Sequence, residues 1–224
     1  ELRQKLIQMP AIGYPRKEII MDIPIHATVS CKEVTCGESI AVIIDPTEKK
    51  ITHIVVKEKH FPHLERIVPV DLIVASTSDS IQLNCNEKVF AKMDEFIEHH
   101  FIRSDTPYFE YLPTEYLVWP YVRPAEVDYR DIQSEHIPRA ELAIHRGAQV
   151  KSTDGRVGSV DEFLIDPTNG HVTHLILREG HLWGKKAITI PISQVDHFSD
   201  DTVYLKMDKS SIETLPAIPV KRWI

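Results

Sequence analysis

Histidine and cysteine are the residues of this chain whose side chains could perform chemistry near neutral pH. Twelve histidines and three cysteines occur among the 224 residues. His53 and His174 each open a run of β-branched residues, and a repeated histidine of this kind could hold a metal ion or sense pH. A hydrogen-bonded structural histidine explains both positions equally well, and we favour it because apolar neighbours flank them. The sequence therefore predicts no metal site at this pair.

The other candidates for catalysis lack the spacing that catalysis requires. Glu98-His99-His100 has no second histidine one turn further on, as an HExxH zinc motif would. Asp161 and Glu162 are adjacent, and neighbours on a strand face opposite sides, so these carboxylates should not share a proton. Nucleophile motifs and glycine-rich phosphate loops are also absent from the sequence. We therefore expect a protein that is not an enzyme and that uses no cofactor or metal.

Composition and charge narrow the classes of partner. The net charge of −7 supplies no basic face for a phosphate backbone, so we expect no nucleic-acid binding. No apolar stretch is long enough to cross a bilayer, and no signal peptide is recognisable. Cys31, Cys36 and Cys85 do not have CxxC spacing, so we expect three reduced thiols. These features predict a cytoplasmic protein. Peripheral association with a membrane complex is the alternative, because it needs no spanning helix.

An internal repeat organises the chain. Residues 45–58 return without gaps as residues 166–179, and after one inserted residue the match resumes, pairing Pro69 with Pro191. The two copies span roughly residues 25–86 and 144–208. Within each copy, short β-branched runs alternate with turn residues, as in the Asp154-Gly155 hairpin. Five or six short strands in about 65 residues favour a closed barrel, which removes exposed edges.

A helix is predicted after each copy. A stripe of apolar residues that runs from Val89 to Phe101, opposite charged residues, predicts an amphipathic helix after the first copy. Ser210 and Glu213 form a capping-box pattern that predicts a short helix through Leu215 after the second copy.

The second copy resembles the PRC-barrel family, named for the cytoplasmic domain of the photosynthetic reaction-centre H subunit and also found at the C-terminus of the bacterial ribosome maturation factor. The resemblance lies in five segments of the second copy: Gly147–Val150, Gly155–Val160, Leu164–Pro167, Val172–Leu175 and Ile188–Pro191. The first copy is more divergent and lacks the Asp-Gly turn of the second. The resemblance implies two tandem small barrels that act as protein-interaction or assembly modules.

The sequence therefore predicts an all-β protein with minor α content, in which two PRC-like barrels, each followed by a helix, are joined by an extended linker rich in proline and aromatic residues. Its expected parts are an extension (1–20), the first barrel with its helix (21–103), the linker (104–139), the second barrel with its short helix (140–215) and a tail (216–224). Met21 opens the first barrel, and we expect the natural start there, with residues 1–20 as upstream sequence.

Exposed aromatic residues are the candidates for partner binding. Phe61 and Trp183 occupy equivalent loops, where they could contact a partner, cover an open barrel end or pack between the barrels. Tyr111 and Trp119 belong to the linker, which holds seven of the seventeen aromatic residues. The linker should lie either on its own barrels or on a second protein. Trp223, in the basic tail, could likewise pack on a barrel or on a partner.

Three functions are compatible with these features. We favour a cytoplasmic interaction or scaffold module that holds a protein partner or associates with itself. The second is a peripheral subunit of a membrane complex, by resemblance to the reaction-centre subunit. The third is a sensor of a small ligand or metal that uses the histidines and cysteines.

Overall fold

The computed structural model describes residues 20–32, 34–104, 128–179, 187–199 and 201–215. These residues are mainly β-strand, with two short helices, α1 (Glu87–Phe90) and α2 (Lys209–Glu213). The strands up to the middle of the chain are β1 (Met21–Pro24), β2 (Thr28–Cys31), β3 (Val34–Asp45), β4 (Lys50–Glu58), β5 (Glu65–Pro69), β6 (Ile73–Ser76), β7 (Ser80–Leu83) and β8 (Ile97–Ser104). The later strands are β9 (Asp128–Glu135), β10 (Leu142–His145), β11 (Gln149–Ser152), β12 (Gly155–Ile165), β13 (Val172–Glu179), β14 (Ala187–Pro191), β15 (Val195–Ser199) and β16 (Thr202–Leu205). The all-β class with minor α content is confirmed.

Fourteen of the sixteen described strands form two seven-stranded sheets of the same topology, called here the first and second sheets, and β8 and β9 form a separate two-stranded sheet. The first has the order β5-β4-β3-β2-β7-β6, and the second has the order β14-β13-β12-β11-β16-β15. In each sheet one pair of strands is parallel, β2 with β7 and β11 with β16. The repeat in the sequence is therefore also a repeat in strand order.

The seventh strand of each sheet comes from the other half of the chain. Strand β1 pairs with β12, with Met21 opposite Ile165, and β10 pairs with β3, with Leu142 opposite Ile44. This pairing differs from the predicted domain boundaries, which placed β1 in the first barrel (21–103) and β10 in the second barrel (140–215). The two halves thus exchange their first strands reciprocally, and each sheet contains residues of both.

The exchange merges the interiors of the two halves. One continuous hydrophobic cluster includes Ile23 and Val29 together with Val150 and Phe163. On β3, Val42 and Ile44 face this core, while Ala41 and Ile43 face a smaller cluster around Phe96 on the outside of the first sheet. Both faces of β3 are therefore buried, which explains its nearly continuous apolar run.

A buried hydroxyl group fixes the point where the chain crosses from the second sheet to the first. The Ser39 hydroxyl donates to the carbonyl oxygen of Pro24 at 2.8 Å and accepts from the backbone N–H groups of His26 and Ala27 at 3.1 and 2.9 Å. His26 has a φ of 141°, a conformation that is costly for a residue other than glycine. The Ser39 hydrogen bonds hold the crossing segment in this conformation.

The predicted helix over residues 89–101 is wrong in its extent. Helix α1 ends at Phe90, and the chain then runs beside β5, where the Ile67 N–H donates to Asp94 O at 2.9 Å and the Phe96 N–H to Glu65 O at 2.7 Å. These bonds to a neighbouring strand replace the i to i+4 bonds of a helix, and strand β8 follows. Phe90 and Phe96 of the apolar stripe are both buried, whereas Val89 is 49% exposed, so the stripe does not form one buried helical face.

Two neighbouring predictions need smaller corrections. The short helix after the second copy is present, but its cap is Asp208, whose carboxylate accepts from the Ser211 N–H at 2.9 Å, rather than Ser210. Part of the predicted linker is a strand: β9 pairs with β8 along its whole length, from Ile97 opposite Glu135 to Ser104 opposite Asp128.

The expectation of three reduced thiols is wrong for two of them. Cys31 and Cys36 form a disulfide with a Cα–Cα distance of 5.9 Å, because the β2–β3 hairpin brings them within the range that such a bond requires. Cys85 is free and buried, and burial raises the pKa of its thiol. Among the described residues, no helix is long and apolar enough to span a membrane.

Candidate protein-interaction surface

The hairpin between β4 and β5 carries the most exposed large apolar side chain among the described residues. Phe61, near the tip of this hairpin, is 88% exposed, compared with 57% for Val74, the next in rank. Phe61 therefore does not fold back over a barrel end or pack between the halves. Its only ring contact within the described part of the chain is with His63, edge to face, with the ring centroids 6.4 Å apart.

Backbone hydrogen bonds define the shape of this loop. The Glu58 N–H donates to Leu64 O at 2.8 Å, closing the base, and the His63 N–H donates to His60 O at 2.8 Å near the tip. The N–H of Lys59 donates to Cys36 O at 2.9 Å, which ties the loop to β3. The loop that presents Phe61 is therefore anchored at its base and beside its tip.

A buried arginine supports the strands beneath the loop. Arg66 on β5 is 9% exposed. Its Nε donates to Glu58 at 2.8 Å, and one terminal nitrogen lies 2.9 Å from Met93 O and 3.3 Å from the Glu95 carboxylate. These bonds join the hairpin to the segment after α1. The buried guanidinium group is thus paired on two sides, as a buried charge must be.

An open cleft of about 420 Å³ adjoins the loop on the first sheet. Its walls carry charges of both signs, from Lys57, Lys59, Glu38 and Glu58, and His63 closes the end next to Phe61. Gly37 forms part of the floor because β4 passes so near that a Cβ atom would collide with the carbonyl oxygen of Lys57. Phe61 and this cleft together are called the Phe61 surface below.

Of the residues predicted to bind a partner, the structure places one. Phe61 is exposed at a loop tip, as the partner-binding interpretation requires, and its binding role stays a prediction. Tyr111, Trp119, Trp183 and Trp223 lie outside the described residues.

His53, the first of the paired histidines, contacts neighbouring polar side chains. The Nδ1 of His53 lies 2.9 Å from the Thr52 hydroxyl and 3.9 Å from a carboxylate oxygen of Glu141. Burial lowers the pKa of His53, and the nearby carboxylate opposes that shift only in part. Within the described residues, no group of three or more histidine, cysteine or acidic side chains could hold a metal ion. The contacts of His53 agree with a structural histidine.

A second recess, which we call the crossing recess, lies between the two halves. It has a volume of about 250 Å³ and is lined by the two crossing segments, the β6–β7 turn and residues of strands β12 and β13 of the second sheet. Asp161 and Glu162 both line it, although strand alternation predicts that they face opposite sides. The reason is a β-bulge between Val160 and Glu162, which breaks the alternation at this point. Sequence reasoning missed this recess because neither the bulge nor the crossing has a local signal.

The fold and these surfaces define an all-β protein with a paired-sheet architecture and an exposed aromatic loop. Residues 146–212 match the family model of the PRC-barrel domain, a stretch that contains β11 to β16. The match supports the PRC-barrel family for this part of the chain. It begins directly after the exchanged strand β10. No curated protein matches the chain.

Proposed function

We propose that this protein is a non-enzymatic interaction module, built on two PRC-like barrels, that binds a protein partner through the Phe61 surface. The observation that carries the proposal is the 88% exposure of Phe61 on an anchored loop. Covering an aromatic side chain of this size contributes about 1.5–3 kcal/mol. A loop that is already ordered also loses less conformational entropy on binding.

The chemistry of the cleft indicates what kind of segment would bind. An apolar side chain of the partner would cover Phe61, and acidic groups beside it would meet Lys59 and Lys57, which are both exposed. Lys57 has one ionic contact, to Glu65 at 3.5 Å, and an exposed ion pair of this length is weak enough to be exchanged for a partner's carboxylate. The expected partner is therefore a protein segment that combines an apolar anchor with acidic neighbours.

The family match and the equivalent topology of the two sheets support the barrel architecture in this proposal. The first sheet repeats the strand order of the matched region, so we assign a divergent PRC-like barrel to the first half as well. The divergent half carries the Phe61 surface, while the second half supplies strand β1's partner, β12. On this view the two barrels act as one scaffold.

Photo-crosslinking tests the proposal directly. The photoreactive analogue p-benzoylphenylalanine would be placed at position 61, where it preserves the aromatic character, and at position 74 as a control on another exposed apolar residue. After irradiation in the native host, we expect a discrete adduct with one protein from position 61 and none from position 74. Phe61→Ala should abolish co-purification of that protein, whereas Val74→Ala should retain it.

Two results would count against this function. Adducts of equal yield from positions 61 and 74 would indicate non-specific contacts. The absence of any adduct from position 61, in protein whose circular dichroism spectrum and melting temperature match those of the unmodified chain, would remove the Phe61 surface as a binding site.

A further inference from the structure

The crossing recess departs from the internal symmetry of the molecule. At the position that the internal repeat relates to the recess, Asp201 accepts a hydrogen bond from the backbone N–H of His145 at 2.6 Å. The residues at the recess that correspond to this pair are Asp79 and Pro24, and proline has no N–H to donate. The Asp79 carboxylate therefore lacks this backbone bond and lines the recess instead.

The residues of the second sheet that line the recess also differ from the residues at the equivalent positions of the first sheet. The recess is lined there by Asp161, Glu162 and Arg178. The equivalent positions of the first sheet hold Ile40, Ala41 and Lys57. Since the same strand pairing is built with isoleucine and alanine in the first sheet, the fold does not require carboxylates at this place.

Two cationic groups and a hydroxyl accompany these carboxylates. Arg178 is committed to Asp161, with a nitrogen–oxygen distance of 2.9 Å. The guanidinium group of Arg146 has a nitrogen 3.1 Å from Nδ1 of His26, and no other hydrogen bond from it to a described side chain is present. The Ser78 hydroxyl donates to Asp79 at 3.2 Å. Arg146 and Asp79 thus present opposite charges on two walls, each with hydrogen-bonding capacity to spare.

We propose that the crossing recess binds a small zwitterion of the free α-amino-acid class, with the ligand's carboxylate on Arg146 and its ammonium group on Asp79. A guanidinium fork matches a carboxylate in a bidentate way, and a carboxylate accepts from an ammonium group. The volume of about 250 Å³ lies below the roughly 300–1,000 Å³ of sites for drug-sized ligands, so the ligand must be small. The site joins both halves of the chain and is separate from the Phe61 surface.

The test uses the intact chain and the twenty common free α-amino acids, each titrated singly by isothermal calorimetry. We expect one or a few related amino acids to bind with a stoichiometry of one. Arg146→Gln and Asp79→Asn should each weaken that binding roughly ten- to a hundredfold, the range expected for losing a hydrogen-bonded charged group. The matched controls are Arg156→Gln and Asp94→Asn, which change exposed residues outside the recess.

Ligand analogues separate recognition from a general structural effect. The amide of the bound amino acid lacks the carboxylate, so it should bind the unmodified protein about as weakly as the amino acid binds the Arg146→Gln variant. The same amide should lose little further affinity in that variant, because the lost contact is the same one. The N-acetyl derivative should pair with Asp79→Asn in the same way.

Three outcomes would overturn this inference. They are no binding of any of the twenty amino acids, equal binding by the recess variants and their controls, or a loss of affinity for the amide that is additive with Arg146→Gln. Crosslinking from position 61 should be unchanged in Arg146→Gln, so the two proposals fail or succeed separately.

Discussion

Replacing Ile23 with alanine should destabilise the second sheet more than the first, although Ile23 belongs to the first half of the chain. Ile23 on β1 lies opposite Phe163 of β12 and is fully buried. Removing a buried isoleucine side chain down to alanine costs about 2–5 kcal/mol. For a chain of this length, that loss corresponds to a decrease of roughly 4–20 °C in melting temperature.

Hydrogen exchange read by mass spectrometry locates the effect. In Ile23→Ala, the amides of β12 around residues 162–165 should exchange faster relative to those of β3 around residues 41–44. The matched variant is Ile144→Ala, at the equivalent position of β10 and also fully buried, and it should show the reverse pattern because Ile144 lies opposite Val42. Exchange reports local opening in this way because protection is lost where native contacts are lost.

The opposite pattern would refute the strand exchange. If Ile23→Ala accelerated exchange in β3 and left β12 protected, β1 would belong to its own half. Val74→Ala serves as the control, because a substitution at a residue that is 57% exposed should change the free energy of unfolding by no more than about 0.5 kcal/mol.

Three further outcomes follow from particular contacts. Gly37→Ala should destabilise the protein by about 1–3 kcal/mol in urea unfolding, because the new Cβ collides with the carbonyl oxygen of Lys57; a change below 0.5 kcal/mol would contradict the close approach of β3 and β4. The hydrogen bond to Asp201 raises the pKa of His145 above its usual 6.5, so this stabilisation is complete below about pH 6.5 and is lost as the pH rises through the raised pKa of the folded state. Asp201→Asn should flatten that decline in unfolding measurements and lower the pKa of His145 in an NMR titration, and an unchanged pKa would exclude the contact. Alkylation of the denatured chain without reductant should label one thiol, that of Cys85, rather than three.

Local patterns predicted several elements because their signals are local. The Asp154-Gly155 hairpin predicted from the sequence is present: it joins the antiparallel strands β11 and β12, and Gly155 has a positive φ of 129°. The apolar residues after the first copy indicated an amphipathic helix, which the structure contains only as far as Phe90. Their period was misjudged because the hydrogen bonds that decide it run to β5, a strand more than twenty residues earlier in the chain.

The candidate sites were predictable only in part. The sequence placed Phe61 on a loop between two strands but left open whether its ring contacts a partner, covers a barrel end or packs between the barrels. The structure shows that the ring is exposed. The crossing recess brings together Asp79, Arg146 and Asp161 from separate parts of the chain. Their spacing in the sequence does not predict that they lie close together.

The order of amino acids is enough to show two similar β-rich repeats, the position of most of their strands and the resemblance of the second repeat to a known family. Which repeat pairs with which first strand depends on contacts between distant segments. Both long strands, β3 and β12, present nearly the same apolar edge to an incoming strand, so local pattern cannot choose between them. The choice depends on the direction in which the chain leaves β1, which the Ser39 hydrogen bonds and the backbone of His26 fix. Those contacts form only after distant segments have come together, and for that reason the exchange is a property of the folded molecule.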